Sequence, residues 1–305
     1  MGFHRCPQEY AVYKLQKSNR SLIAVVYVDD LIVTGSSEEL VAEFKRRMLK
    51  SFDMSDLGTL SYYLGIEVYQ DKDGITIGQA GYAEKILQIA GMGECNPSEY
   101  PMEPRLGLTK DEDGVPVNAT EYGRLIGSLR YLIHSRPDLS YLVGVVCRYV
   151  ESPKQSHLKV VKHILRYIKG TTNFGLMYKK GGDKRLIGFS DSSHGMDIDG
   201  RKGTTGMIFY LLGNPITWSS HKQHTVALSS CEAEFMAATA TACQTLWLRS
   251  LLKELIGWKE ESVRMYVDNK SAIALMQNPV SMGGVSTLTP SSISYEVVLK
   301  GSKLR

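Results

Sequence analysis

Ser229-Ser230-Cys231-Glu232-Ala233-Glu234-Phe235-Met236-Ala237-Ala238 opens a stretch that runs on through Leu251-Leu252-Lys253-Glu254-Leu255-Ile256 to Gly257, and its reading decides the fold of the second half. Ser229 and Glu232 have the Ser-x-x-Glu spacing of a capping box, in which hydroxyl and carboxylate each satisfy an orphan amide of the first turn. A helix is therefore predicted from Ser229, with Met236, Ala240, Cys243, Trp247 and Leu251 recurring at helical spacing on one buried stripe. Gly257 supplies the stop. Glu234 follows Glu232 by two residues, about 200° around an ideal helix, so the two carboxylates cannot share a face. With Glu232 occupied in the cap, Glu234 points toward the small residues Ala238 and Thr241. It is there either as an ordinary solvated acid or as a group that a ligand reaches.

Working outward, Leu186 to Asp191 reads as a short strand ending in an acid, Thr204 to Leu212 as a second strand, and Ile216 to Ser219 as a third after the turn Gly213-Asn214-Pro215. These three predict an antiparallel meander. Beyond the helix, Val263 to Val267 makes a fourth strand that stops at Asp268, and Lys270 to Met276 returns as a helix. The second half is thus an α/β unit whose strand-helix-strand crossover should be right-handed. Two strand-end acids, Asp191 and Asp268, with the helix acid Glu234 across from them would form an oxygen-rich cluster. Such a donor set selects hard divalent cations, Mg²⁺ or Mn²⁺, over transition metals. Two such ions about 3.5–4 Å apart can activate water and stabilise the leaving oxygen of a phosphodiester.

In the first half, Leu22 to Val28 and Leu31 to Thr34 are apolar, β-branched runs separated only by Asp29-Asp30, which predicts a tight β-hairpin with both carboxylates at its tip. Their mutual repulsion calls for a cation, although aspartate is also a common turn residue. Glu38 to Leu49 carries Leu40, Val41, Phe44 and Met48 on a helical stripe. Pro101, Pro104, Gly107, Gly114 and Pro116, with Asp111-Glu112-Asp113, mark a linker. Glu121 to Tyr149 reads as two helices broken at Ser135 to Asp138, because proline disfavours helix in the residue before it. On the helix His157 to Lys169, the set Lys159, Lys162, His163, Arg166 and Lys169 either tracks a phosphate backbone or is a solvated face.

Bulk properties agree with this organisation. The 305 residues, 43% hydrophobic and 22% charged, suffice for two modest cores. A net charge of +4 is compatible with a polyanionic partner. Five scattered cysteines without a Cys-x-x-Cys pair indicate neither a zinc site nor a disulfide framework. No apolar run is long enough for a membrane span and the first residues lack signal-peptide order, so the expected location is intracellular, cytoplasmic or nuclear.

Tyr27-Val28-Asp29-Asp30 between two such strands resembles the active-site hairpin of reverse transcriptases. Phe52 to Gly58, Leu60 to Val68, Ile75 to Gln79 and Tyr100-Pro101-Met102 follow in the order of the polymerase of copia-type LTR retrotransposons. Gly188 to Ser192, Asp199 to Lys202, Thr217 to Ser220, Thr225 to Phe235 and Asp268 to Ala272 are similar to the ribonuclease H domain of the same family. The resemblance implies a mixed α/β and α+β fold: a reverse transcriptase palm remnant and thumb over 1–104, a helical connection over 105–182, a ribonuclease H-like mixed sheet with helices over 183–280. A non-matching, disordered tail is expected over 281–305. It further implies a retrotransposon Pol fragment that cleaves the RNA strand of RNA-DNA hybrids with Mg²⁺ or Mn²⁺, with Asp191, Glu234 and Asp268 as catalytic metal ligands. Asp29 and Asp30 fall on the polymerase metal ligands. The implied partner is a hybrid or another nucleic acid, with association with a second Pol chain left open. The alternative is an inactive remnant that only binds nucleic acid.

Three departures from the family bear on activity. Residues 1–21 hold no aspartate where a third polymerase ligand would stand upstream, so polymerase activity is not expected. Ser193 and His194 replace an Asp and a Trp of the family pattern. After Asn278-Pro279-Val280 a turn-rich sequence replaces the family's His-Ile-Asp segment, leaving Glu296 as the one acid beyond Asp268 and suggesting a replaced C-terminus.

Overall fold

The structure is a computed structural model of the chain, and it describes residues 2–103, 106–259 and 262–277. The expected tail, Glu296 included, lies outside the described residues. The described residues form two compact units, one from residues 2–60 and 242–259, the other from 61–103, 106–241 and 262–277.

In the first unit, β1 (His4–Arg5), β2 (Val12–Lys17), β3 (Arg20–Tyr27) and β4 (Asp30–Gly35) form an antiparallel sheet in the order β1-β2-β3-β4. Helix α1 (Glu38–Ser51) starts where the Ser37 hydroxyl accepts from the Leu40 amide, and its Leu40 and Phe44 bury against Leu15, Leu22 and Ala24. The predicted hairpin forms, but its turn is shifted by one residue. Tyr27 pairs with Asp30, so the two turn residues are Val28 and Asp29, and Asp30 is the first residue of β4. Val28 takes a φ of 52° and is 80% exposed. A β-branched residue is disfavoured there, because the left-handed region crowds its Cβ. Val28→Gly is expected to stabilise this unit by about 1 kcal/mol in urea denaturation, the left-handed penalty being about 1–2 kcal/mol.

The second unit contains two sheets and a helical layer. β5 (Tyr62–Tyr63), β6 (Ile66–Gln70) and β7 (Gly74–Gly78) are followed by α2 (Ala80–Ile89), α3 (Ala119–Leu132), α4 (Ser140–Val146), α5 (Gln155–Gly170) and β8 (Gly175–Lys179). β8 pairs antiparallel with β7, so this sheet draws strands from both sides of residue 104. Gly74 and Gly175 make the pairing close: a Cβ on either would stand 2.1 or 2.2 Å from a carbonyl oxygen of the opposite strand. The helices share one core in which Ile86, Leu87, Tyr122, Ile126, Leu129, Val161 and Ile164 are buried. The predicted break at Ser135 to Asp138 is real, and Arg136 is built into it. Its guanidinium, only 2% exposed, pairs with Asp138 at 2.7 Å and donates to the Thr171 carbonyl and hydroxyl, each at 2.9 Å.

The second sheet consists of β9 (Leu186–Ser193), β10 (Thr204–Leu211), β11 (Asn214–Lys222) and, beyond the long helix α6 (Ser230–Ile256), β12 (Arg264–Tyr266), which is followed by α7 (Lys270–Gln277). Its order is β11-β10-β9-β12, antiparallel except for the parallel pair β9-β12. The expected meander is therefore present, and β12 returns parallel to β9 after α6. The Asn214 side chain, at the start of β11, donates to the Lys179 carbonyl at 3.0 Å and accepts from the Lys179 amide at 2.9 Å, acting as one residue of strand against β8.

The buried stripe of α6 is not the predicted one. Ala240, Cys243 and Trp247 are exposed, and the buried positions are Ala233, Glu234, Ala237, Ala238, Thr241, Thr245, Leu248 and Leu252. The spacing is helical in both cases. The difference is size: the inner face carries alanines and threonines, which let the helix approach its neighbours closely, while several larger residues remain outside. The cap also differs in detail. The Glu232 amide donates to the Ser229 hydroxyl at 3.1 Å as expected, but the Glu232 carboxylate accepts from Leu228, one residue before the cap, at 2.7 Å.

Candidate metal centre

Glu234 lies near the start of the buried stripe of α6, so the helix that turns Glu232 outward to its cap turns Glu234 inward. Asp191 comes from β9 and lies inside the strand rather than at its end, because β9 continues to Ser193. Asp268 follows β12, the parallel neighbour of β9, and stands just beyond its last residue, Tyr266. The fold brings these three together: each offers one carboxylate oxygen, and the three atoms lie within 4.8 Å of one another. Asp191 and Asp268 are exposed, whereas Glu234 is 5% exposed.

Electrostatics concentrate on Glu234. Its Oε1 accepts two hydrogen bonds from Ser192, one from the amide at 3.0 Å and one from the hydroxyl at 2.9 Å. Its Oε2 is buried without a hydrogen-bond partner. Burial is the main cause that holds this carboxyl above the usual carboxylate range; the Ser192 bonds oppose it, and the charges of Asp268 and Asp191 add to it. An orphaned carboxylate oxygen beside two further acids, with no nitrogen or sulfur donor in the group, fits a hard divalent cation. Ser192 had no sequence signal as a partner of Glu234, since the bond joins a strand to a helix 42 residues later.

Other expected site residues are placed differently. Asp29 and Asp30 are exposed at the hairpin tip, and among the described residues they belong to no group of three metal-capable side chains. The basic set on α5 divides. Lys159 and Lys162 are exposed, but Arg166 donates to the Asn96 carbonyl at 2.8 Å, and the His163 Nε2 bonds the Tyr100 carbonyl at 2.9 Å. Arg166 and His163 thus hold the 96–100 segment rather than standing free for phosphate. The described cysteines are all free, and no described helix is long and apolar enough to cross a membrane.

Residues 1–104 match the family described as reverse transcriptase (RNA-dependent DNA polymerase). The chain is 36% identical over 275 residues, 87% of its length, to the retrovirus-related Pol polyprotein from transposon TNT 1-94 of Nicotiana tabacum, and covers 21% of that protein. It is 35% identical over 280 residues, 92% of its length, to the corresponding Pol polyprotein from transposon RE1 of Arabidopsis thaliana, covering 19% of it. It thus spans about a fifth of the length of these relatives. A transposon Ty5-1 protein of Saccharomyces cerevisiae is 30% identical over 247 residues, 80% of each chain.

Proposed function

The chain belongs to the copia-type retrotransposon Pol polyprotein family and carries a reverse transcriptase domain, and from that membership we propose that residues 183–280 are a ribonuclease H-like domain cleaving the RNA strand of RNA-DNA hybrids. Reverse transcriptase domains bind nucleic acid and use divalent metal in general, and residues 1–104 are proposed as palm remnant and thumb, 105–182 as connection. The observation that carries the reading is the meeting of Asp191, Glu234 and Asp268, from a strand, a helix and a second strand's end, within 4.8 Å.

Those three residues would hold Mg²⁺ or Mn²⁺. When bound, the metal supplies an activated water and charge stabilisation for the leaving oxygen. The protein's own contribution is placement. Ser192 fixes Glu234 through two donors to one oxygen, the buried stripe of α6 fixes the backbone behind it, and the β9-β12 pairing sets Asp191 beside Asp268. For the first unit, ligation by Asp29 and Asp30 is proposed on their joint exposure at the tip; polymerase activity is not proposed.

Hydrolysis of a labelled RNA-DNA hybrid by the purified chain, with Mg²⁺ or Mn²⁺ and with chelator, tests the reading. Hybrid binding without cleavage in any metal would replace it by the nucleic-acid-binding reading. Metal binding has its own readout. A saturating divalent cation is expected to raise the melting temperature, since a ligand at a hundred times its Kd adds about 2.7 kcal/mol, and Asp268→Asn should remove most of that rise.

A further inference from the structure

A cleft of ≈ 450 Å³ opens where α3 and α4 meet β11, the strand at the edge of the second sheet. Gly144 permits the approach, since a Cβ there would already stand 3.3 Å from the Ser220 carbonyl. The lining includes Arg130, His134 and His221, all exposed, and no acidic side chain. Lys222 also lines it, with its ammonium paired to Asp197 at 2.6 Å. Two hydroxyls in the lining, Ser140 on α4 and Ser220 on the face of β11 that Gly144 approaches, have buried oxygens with no hydrogen-bond partner, and Ser140 is itself 8% exposed. A buried hydroxyl left unpaired costs about 1–3 kcal/mol, so two in one cleft point to an acceptor that enters it. With the Arg130 guanidinium in the lining and no acid, that acceptor is an anion.

Its position narrows the anion. Asp191 pairs with Gly206, and Gly206 pairs with Ser220, so Ser220 lies in the same cross-sheet row as Asp191, two strands away. At about 4.8 Å per strand the separation is about 10 Å, which a nucleic-acid strand spans in about three nucleotides at about 3.4 Å each. We infer that this cleft binds a phosphate group, seated by the Ser140 and Ser220 hydroxyls and attracted by Arg130. The phosphate source that fits the row best is the backbone of a nucleic-acid strand lying across the second sheet. The inference does not depend on the three acids being catalytic.

The test is made on the full chain in chelator, so that cleavage plays no part, with a fluorescent RNA-DNA hybrid followed by anisotropy over a series of salt concentrations. Arg130→Glu, at an exposed position, should weaken hybrid binding about ten-fold and flatten the slope of log K against log salt by about one, for the phosphate no longer neutralised. If hybrid binding is unchanged but inorganic phosphate or a nucleoside monophosphate raises the melting temperature of the unaltered chain and not of the variant, the cleft takes free phosphate instead. If neither difference is found, the inference is wrong. Retention of the Mg²⁺-dependent rise in melting temperature shows that the variant is folded and separates this result from failure of the metal centre. Ser140→Ala, which removes a hydroxyl without adding charge, should reproduce part of the weakening.

Discussion

Asp191→Asn is expected to abolish metal-dependent hybrid cleavage, with a fall of more than a hundred-fold, while Glu234→Gln abolishes it equally and makes the protein more stable. The size follows from the role. Outer partners of metal ligands already account for about 10–100-fold, so a ligand itself accounts for more. The opposite sign in stability follows from the geometry. Glu234 is buried, one of its oxygens is unpartnered, and two acids lie within 4.8 Å, so without a cation its charge is poorly compensated. Glutamine keeps an oxygen for Ser192 and puts a neutral amide nitrogen in place of the orphaned oxygen. A gain of about 1–2 kcal/mol in the metal-free protein is expected from removing an uncompensated buried charge. The check is a paired measurement of cleavage rate and urea midpoint, in chelator and in Mg²⁺. A Glu234→Gln protein that is less stable in chelator and still cleaves would show that the carboxylate is structural.

Arg136→Ala is expected to lower the stability of the second unit by about 3–5 kcal/mol, the range for leaving a buried ion pair broken. Arg136 has three kinds of partner: the Asp138 carboxylate, the Thr171 carbonyl and hydroxyl, and the rings of Tyr167 and Phe174, 5.5 and 5.4 Å from its guanidinium carbon. It therefore ties the break between α3 and α4 to the end of α5. Asp138→Asn should cost about 2–3 kcal/mol, because it leaves the buried Arg136 guanidinium without its carboxylate and with neutral acceptors alone. Arg136→Lys should fall near the alanine value, since an ammonium cannot reach both Thr171 acceptors and Asp138 in the same plane. Urea denaturation followed by circular dichroism measures all three, and a loss of less than about 1 kcal/mol in Asp138→Asn would contradict the argument.

The acid cluster was legible because each member carries a local signature: two acids closing apolar runs, and one acid displaced from a capping partner by a turn that cannot share its face. The hairpin, the meander and the long helix were legible from period and punctuation for the same reason. The inner face of α6 was not. Apolar size is what a periodic pattern detects, and here Ala237, Ala238, Thr241 and Thr245 make the buried face while Trp247 remains outside. Nor was the one-residue shift at the hairpin tip, where Val28 accepts an unfavourable φ so that Asp30 can pair with Tyr27. The roles of Arg166 and His163 were hidden because the carbonyls they hold lie more than 60 residues earlier.

Gly206 stands between Asp191 and Ser220, and a Cβ there would meet nothing nearer than the Asp191 carbonyl at 3.8 Å. The position thus has room for a Cβ, and a side chain built on it would rise like a kerb across the path proposed between the two ends of the row. Loss of function in a copy of this transposon protein need not touch an acid or a hydroxyl. One substitution at a glycine that holds no ligand would leave every acid in place and every strand paired, and still close the road.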